Sequence, residues 1–196
     1  MESNEEKLYF DLEIVRENFK LSKKVENDID LEFYLKSFEE LNRFFFLLGT
    51  IFGFVSSELE DKISILKNFL SSPDVGQHFS TVKSSRTLLR LHRGFEFIQA
   101  FLKGLIDLGE QQQTSTVCHN AYTCTLANHH SFLIRTAAKL AMYNLPVKHK
   151  LLVKVCGSEE NIRKAEEILP ETLEHGLEIY NIIQKIYEKN NLLSLP

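Results

Sequence analysis

A set of ionisable side chains stands in stretches that are otherwise apolar at helical spacing, where a charge is costly unless it is paired or used. Glu58 and Lys62 are four residues apart and so share a helix face. Arg86, Arg90 and Arg93 follow at spacings of four and three, again on one face, and His129 and His130 interrupt an apolar pattern further on. Each group taken alone has a structural explanation. A Glu–Lys pair at this spacing is ordinarily solvated, an arginine row is ordinarily a surface stripe, and a histidine ordinarily serves a structural hydrogen bond.

Two other chemistries fit less well. Cys118, His119, Cys124, His129 and His130 cluster in sequence and raise a metal centre. Zinc ligands come as closely spaced pairs separated by a loop, whereas these fall on one expected helix with Cys118 and Cys124 facing different directions, so no metal is expected. Nucleophilic catalysis lacks a positioning motif, since no G-x-S-x-G elbow, P-loop or HExxH occurs.

The elements that must hold these residues are helical. From Asp30 the apolar positions Leu31, Tyr34, Leu35, Phe38, Leu41, Phe45 and Leu48 step by three or four until Gly49. Ser57 and Glu60 read as a capping box for a second helix carrying Leu59, Ile63, Leu66 and Leu70 to Ser71-Ser72-Pro73. A third is expected from Ser85 to Leu108, and Thr114 to Tyr143, free of Gly and Pro, as one long fourth helix. A short helix over Val147 to Val155, another from Ser158 to Pro170 and a last from Glu171 to Lys189 complete the pattern. Residues 1–29 are expected to add an N-terminal helical region, and Ser71 to Ser84 to be weakly ordered. There is no strand alternation, internal repeat or long linker, so the class is all-α.

Composition bounds the rest. The 196 residues, 43% hydrophobic and 26% charged, suit a single domain spanning 1–196 and exclude disordered and low-complexity classes. A net charge of -4 argues against nucleic acid as a partner. Three cysteines without a CxxC pair point to free thiols in a reducing compartment. The most apolar run, Phe44 to Val55, is shorter than the roughly 20 residues of a spanning helix and is expected to be a core helix segment. The acidic, polar start MESNEEK does not read as a secretory signal, which leaves the cytosol as the expected location.

Three segments carry a resemblance: Leu48-Gly49-Thr50-Ile51-Phe52-Gly53-Phe54-Val55-Ser56, Arg86-Thr87-Leu88-Leu89-Arg90-Leu91-His92-Arg93-Gly94 and Tyr122-Thr123-Cys124-Thr125-Leu126-Ala127-Asn128-His129-His130. The sequence resembles the glycolipid transfer protein superfamily from about Leu31 onward. Gln184-Lys185-Ile186-Tyr187 and Leu192-Leu193-Ser194-Leu195-Pro196 resemble the ends of its ceramide-1-phosphate transfer members.

The resemblance implies a two-layer helical sandwich with a surface headgroup site opening into an apolar pocket for two lipid chains. It assigns the headgroup to Lys62, Arg86, Arg90 and His130, with Glu58 where the family usually has Asp. Sugar-binding members stack a Trp on the hexose where this chain has Arg90, and a guanidinium lacks that indole face but binds phosphate bidentately. Ceramide-1-phosphate is thus the expected ligand, its amide N–H meeting Glu58 and its carbonyl meeting neutral His130. Arg93 is expected to tie helices or backbone together. Phe132 stands where the family has a membrane-docking Trp, and is expected to take part in transient docking to a membrane surface. The implied protein is a non-enzymatic, monomeric intermembrane carrier without cofactor. A glycolipid carrier, a lipid sensor acting on a protein partner and a hydrolase using His130 and Glu58 are the rivals.

Overall fold

The computed structural model describes residues 9–25, 28–71 and 82–195. Among them are eight α-helices, two 3₁₀ turns and no strand. Local signals account for most boundaries. Helix α1 (Leu12–Ser22) starts at Asp11, which accepts from the Glu13 amide at 3.1 Å, and α2 (Leu31–Leu47) starts at Asp30, which accepts from Glu32 at 3.0 Å. Along α2, Tyr34, Leu35, Phe38, Leu41, Phe44 and Phe45 are buried, as the period requires.

The apolar run after Phe44 is a corner rather than a single helix segment. Gly49 takes φ +97, a left-handed conformation that a side chain disfavours, and Lys154 donates to the Leu48 carbonyl at 2.7 Å to satisfy the end of α2. A 3₁₀ turn over Thr50–Phe52 leads directly into α3 (Gly53–Leu70). The expected capping box at Ser57 is therefore absent: the turn has already opened the helix four residues earlier, and Ser57 lies within it.

Helix α4 (Val82–Ile106) begins before the expected Ser85, so Val82, Lys83 and Ser84 of the stretch expected to be weakly ordered are helical. Positions 72–81 of that stretch lie outside the described residues. The expected fourth helix is two: α5 (Thr114–Cys124) and α6 (Phe132–Tyr143), with a 3₁₀ turn at Leu126–His129 between them. Thr125 leaves helical geometry at φ -121, ψ -93, its hydroxyl donating to the Ala121 carbonyl at 2.7 Å, and Ser131 caps α6. Asn, His and Ser in this stretch are weak helix formers that favour caps and turns.

After α7 (Lys148–Cys156), closed by left-handed Gly157, α8 runs unbroken from Glu159 to Lys189. The helix boundary expected at Pro170 does not occur. Proline removes one hydrogen bond, to the Glu166 carbonyl, but the buried face continues through Ile162, Thr172, Gly176, Ile179 and Ile183, packed on α1, α4 and α7. Tertiary burial outweighs the lost bond.

The helices form a two-layer sandwich. Helix α2 packs between α1 and α3, α4 packs against α5 and α8, and contacts of α1 with α8 and of α3 with α4 join the two groups. Phe19, Tyr34, Phe38 and Phe95 meet in the core, with ring centroids 4.8 to 6.2 Å apart. Among the described residues no helix is long and apolar enough to cross a membrane.

Candidate functional site

The corner after α2, the adjoining faces of α3 and α4, and the α5–α6 bend enclose a cavity of about 450 Å³. Its wall is apolar where Phe45, Phe52, Leu59, Phe97, Ile98 and Met142 face it. Its charged and imidazole groups are Glu58 and Lys62 from α3, Arg90 and Arg93 from α4, and His129 and His130 from the bend, with Tyr122 of α5 beside them. Periodicity explains α3: Glu58, Leu59 and Lys62 lie within about one turn, so one face supplies both a charged pair and an apolar wall.

Lys62 Nζ lies 2.6 Å from Glu58 Oε1, the lysine side chain being 14% exposed and the glutamate 64%. The ammonium is held inward and the carboxylate outward. An incoming anion would therefore compete with Glu58 for a cation that is already oriented. Arg90 lines the same cavity from α4 and is exposed. Arg86 lies one turn earlier on α4, half-buried, and is not among the lining residues; its Nε has no hydrogen-bond partner among the described residues.

His130 is held by a residue that the sequence reading did not single out. Tyr122 Oη is 2.9 Å from His130 Nδ1. Burial lowers the His130 pKa, His129 and Lys62 lower it further, and only Glu58 opposes them, so the ring is neutral near pH 7. When the tyrosine hydroxyl donates to Nδ1, the ring's proton sits on Nε2, leaving it a donor. The only sequence signal for the pair was that both residues lie in one resembling segment, and their contact depends on the bend at Thr125.

Arg93 also reaches the cavity, but its Nη2 donates to the Leu193 carbonyl at 2.9 Å, tying α4 to the C-terminal tail as expected. His92, from the same motif, is absent from the cavity: it is buried, stacked on Tyr180 at 4.2 Å and bonded to Gln184 at 2.9 Å. Of the cysteine and histidine cluster, Cys118 is buried and Cys124 exposed, and no group of three or more His, Cys, Asp or Glu among the described residues could hold a metal. Phe132 opens α6 and is 78% exposed, as is Leu133 beside it, while Ile134 of the same turn lines the cavity.

Residues 29–157 match the profile of the family described as glycolipid transfer protein (GLTP). The chain belongs to the glycolipid transfer protein family. It is 32% identical to the mouse ceramide-1-phosphate transfer protein, over 95% of this chain and 97% of that one. The apo crystal structure of the mouse protein superposes with a TM-score of 0.85 at 33% identity, covering 95% of this chain and 100% of that chain. The human ceramide-1-phosphate transfer protein in complex with 12:0 ceramide-1-phosphate superposes at 0.84 with 29% identity and the same coverage. The GLTP fold is thus this chain's fold, and lipid transfer is the family's activity. A cavity that is polar at one part of its wall and apolar over the rest matches an amphipathic guest.

Proposed function

We propose that this protein carries ceramide-1-phosphate between membranes without altering it chemically. The observation that carries the reading is the convergence of Lys62 and Arg90 on one cavity whose wall is polar around them and apolar along Phe45, Phe52, Leu59, Phe97, Ile98 and Met142. A phosphomonoester bears roughly -1.5 to -2 charges near neutral pH, which two cations match. Arg86, one turn from Arg90, adds a third positive charge from the same helix face. The relatives named for ceramide-1-phosphate transfer support the same ligand.

The amide of the sphingoid base selects the lipid class. Its carbonyl accepts from Nε2 of neutral His130, and its N–H donates to Glu58, whose carboxylate turns from Lys62 once phosphate takes the lysine. An ester-linked lipid has no N–H and leaves a carboxylate unpaired. The chains enter the apolar part of the cavity at about 0.8 kcal/mol per buried CH₂, so they supply most of the affinity and the polar groups most of the selection.

Docking rests on Phe132 and Leu133, exposed at the start of α6 next to the cavity wall. The working picture is a single-domain, cytosolic monomer that touches a membrane transiently and needs no cofactor or metal. A vesicle-to-vesicle assay tests the reading: ceramide-1-phosphate should move faster than glucosylceramide or galactosylceramide, and the reverse order would overturn it. Mass analysis of the recovered lipid should return it unchanged.

A further inference from the structure

We propose that Glu58 and Lys62 make the protein read the sphingoid amide only when a phosphate is bound, so that ceramide stripped of its phosphate loses both contacts at once. This rests on the lipid-carrier reading above, in which phosphate meets Lys62 and the amide N–H meets Glu58.

The two side chains satisfy each other. Lys62 Nζ lies 2.6 Å from Glu58 Oε1 and 3.5 Å from the Glu58 carbonyl oxygen. The glutamate precedes the lysine by four residues, the favoured order for such a pair on a helix. A fully exposed pair of this kind contributes little. The lysine side chain, however, is only 14% exposed, so its ammonium is poorly hydrated and depends on the carboxylate.

A carboxylate held in this way is a poor acceptor for a second donor. Its Oε1 faces the ammonium, and the side chain, 64% exposed, lies toward solvent rather than along the apolar wall. Turning it inward with no substitute anion strands the ammonium, which costs more than one amide hydrogen bond returns. A phosphate removes that cost. Its oxygens take Lys62 and Arg90, and its charge repels Glu58 from the lysine, leaving the carboxylate to the amide N–H. Three side-chain torsions give the glutamate access to both positions. A neutral hydroxyl or sugar offers the lysine no replacement anion, and the pair stays closed.

His130 places the amide beside this pair. Burial chiefly lowers its pKa, Glu58 raises it and Lys62 lowers it, so the imidazole that meets the amide carbonyl feels both charges.

A cycle of four ligands tests the coupling. Displacement of a fluorescent ceramide-1-phosphate from the full chain is measured with hexanoyl ceramide-1-phosphate, hexanoyl ceramide and the N-methyl amide of each, which lacks the N–H. In the wild type, N-methylation should weaken the phosphorylated lipid roughly tenfold and ceramide less than about twofold. Glu58→Gln keeps a carbonyl that accepts the N–H but has no charge to hold Lys62, and should bring the two effects within about twofold of each other. Lys62→Met frees Glu58, so N-methylation should then weaken ceramide as well, by roughly tenfold. Equal effects of N-methylation in the wild type, or a difference that survives in Glu58→Gln, would overturn the coupling. The added methyl has the same bulk with and without phosphate, so a purely steric effect also gives equal effects. Melting curves check that the variants are folded, and Glu58→Gln, a change at an exposed position, decides if Lys62→Met is unstable. Should the wild type bind ceramide-1-phosphate no better than ceramide, the phosphate reading fails instead, and this inference with it.

Discussion

The Tyr122 hydroxyl stands 2.9 Å from Nδ1 of His130, reaching across the bend that separates α5 from α6. The contact orients an imidazole whose pKa burial lowers, and when the hydroxyl donates to Nδ1 the ring's proton sits on Nε2. Tyr122→Phe keeps the ring, which meets Phe97 edge-on at 6.2 Å, and deletes only the hydroxyl. Loss of one hydrogen bond of about 1 kcal/mol should cut ceramide-1-phosphate transfer about fivefold. Transfer kinetics beside a melting curve check it: an unchanged rate would mean that the bond does no work in lipid recognition.

Arg90 bears more directly on selectivity. Hydrogen bonds to charged groups contribute about 1.5 to 3 kcal/mol, so Arg90→Ala should weaken ceramide-1-phosphate binding roughly ten- to a hundredfold. Because Arg90 is exposed, the fold should tolerate the change. Titration with the lipid at two salt concentrations reads the outcome, and the variant should also lose part of the wild type's salt dependence.

Arg93 should behave differently although it is only three residues away. Its bond to the Leu193 carbonyl makes it a fastener for the tail. Arg93→Ala is expected to cost about 1 to 2 kcal/mol, lowering the melting temperature by several degrees in a chain of this size. Its effect on lipid affinity should be smaller than that of Arg90→Ala, and a larger one would place Arg93 among the phosphate ligands.

Acid should destabilise the protein through His92. Burial foremost, with Arg93 adding, holds its pKa below the ordinary 6.5, while the Gln184 bond opposes them. The folded state therefore binds fewer protons than the unfolded one below pH 6.5; the stabilising contribution is full above that value and is lost as pH falls through the folded pKa. Melting temperature followed downward from above pH 6.5 should drop, and His92→Asn should flatten the slope while lowering the starting value.

Membrane contact should follow the exposed start of α6. Replacing Phe132 and Leu133 by serine removes two side chains that are each 78% exposed, so stability should change by less than about 0.5 kcal/mol. Vesicle co-sedimentation should nonetheless fall several-fold, and undiminished binding would move the docking surface elsewhere.

The helical class, the start of α2 at Asp30, the end of that helix at Gly49 and the burial of Leu59, Ile63 and Leu66 could all be read from the chain, because caps and periodicity are interactions within a few residues. The errors lie where distant packing competes with local preference. Pro170 marks a break by its own chemistry, yet α8 continues unbroken through it, packed on α1, α4 and α7. The Thr114–Tyr143 stretch has no Gly or Pro to announce a bend, and the Thr125 backbone makes one.

The site divides in the same way. The order of amino acids by itself determined that charges of fixed spacing stand on otherwise apolar helices, and that Arg90 occupies the position of a stacking Trp in the resemblance. Which of them share a cavity was decided only in three dimensions. His92 and Arg93 are neighbours in sequence, yet one is stacked on Tyr180 in the core while the other reaches both the cavity and the tail. Helical periodicity fixes the angle between such residues, but what each angle faces depends on the helices that close around it, and those come from the far ends of the chain.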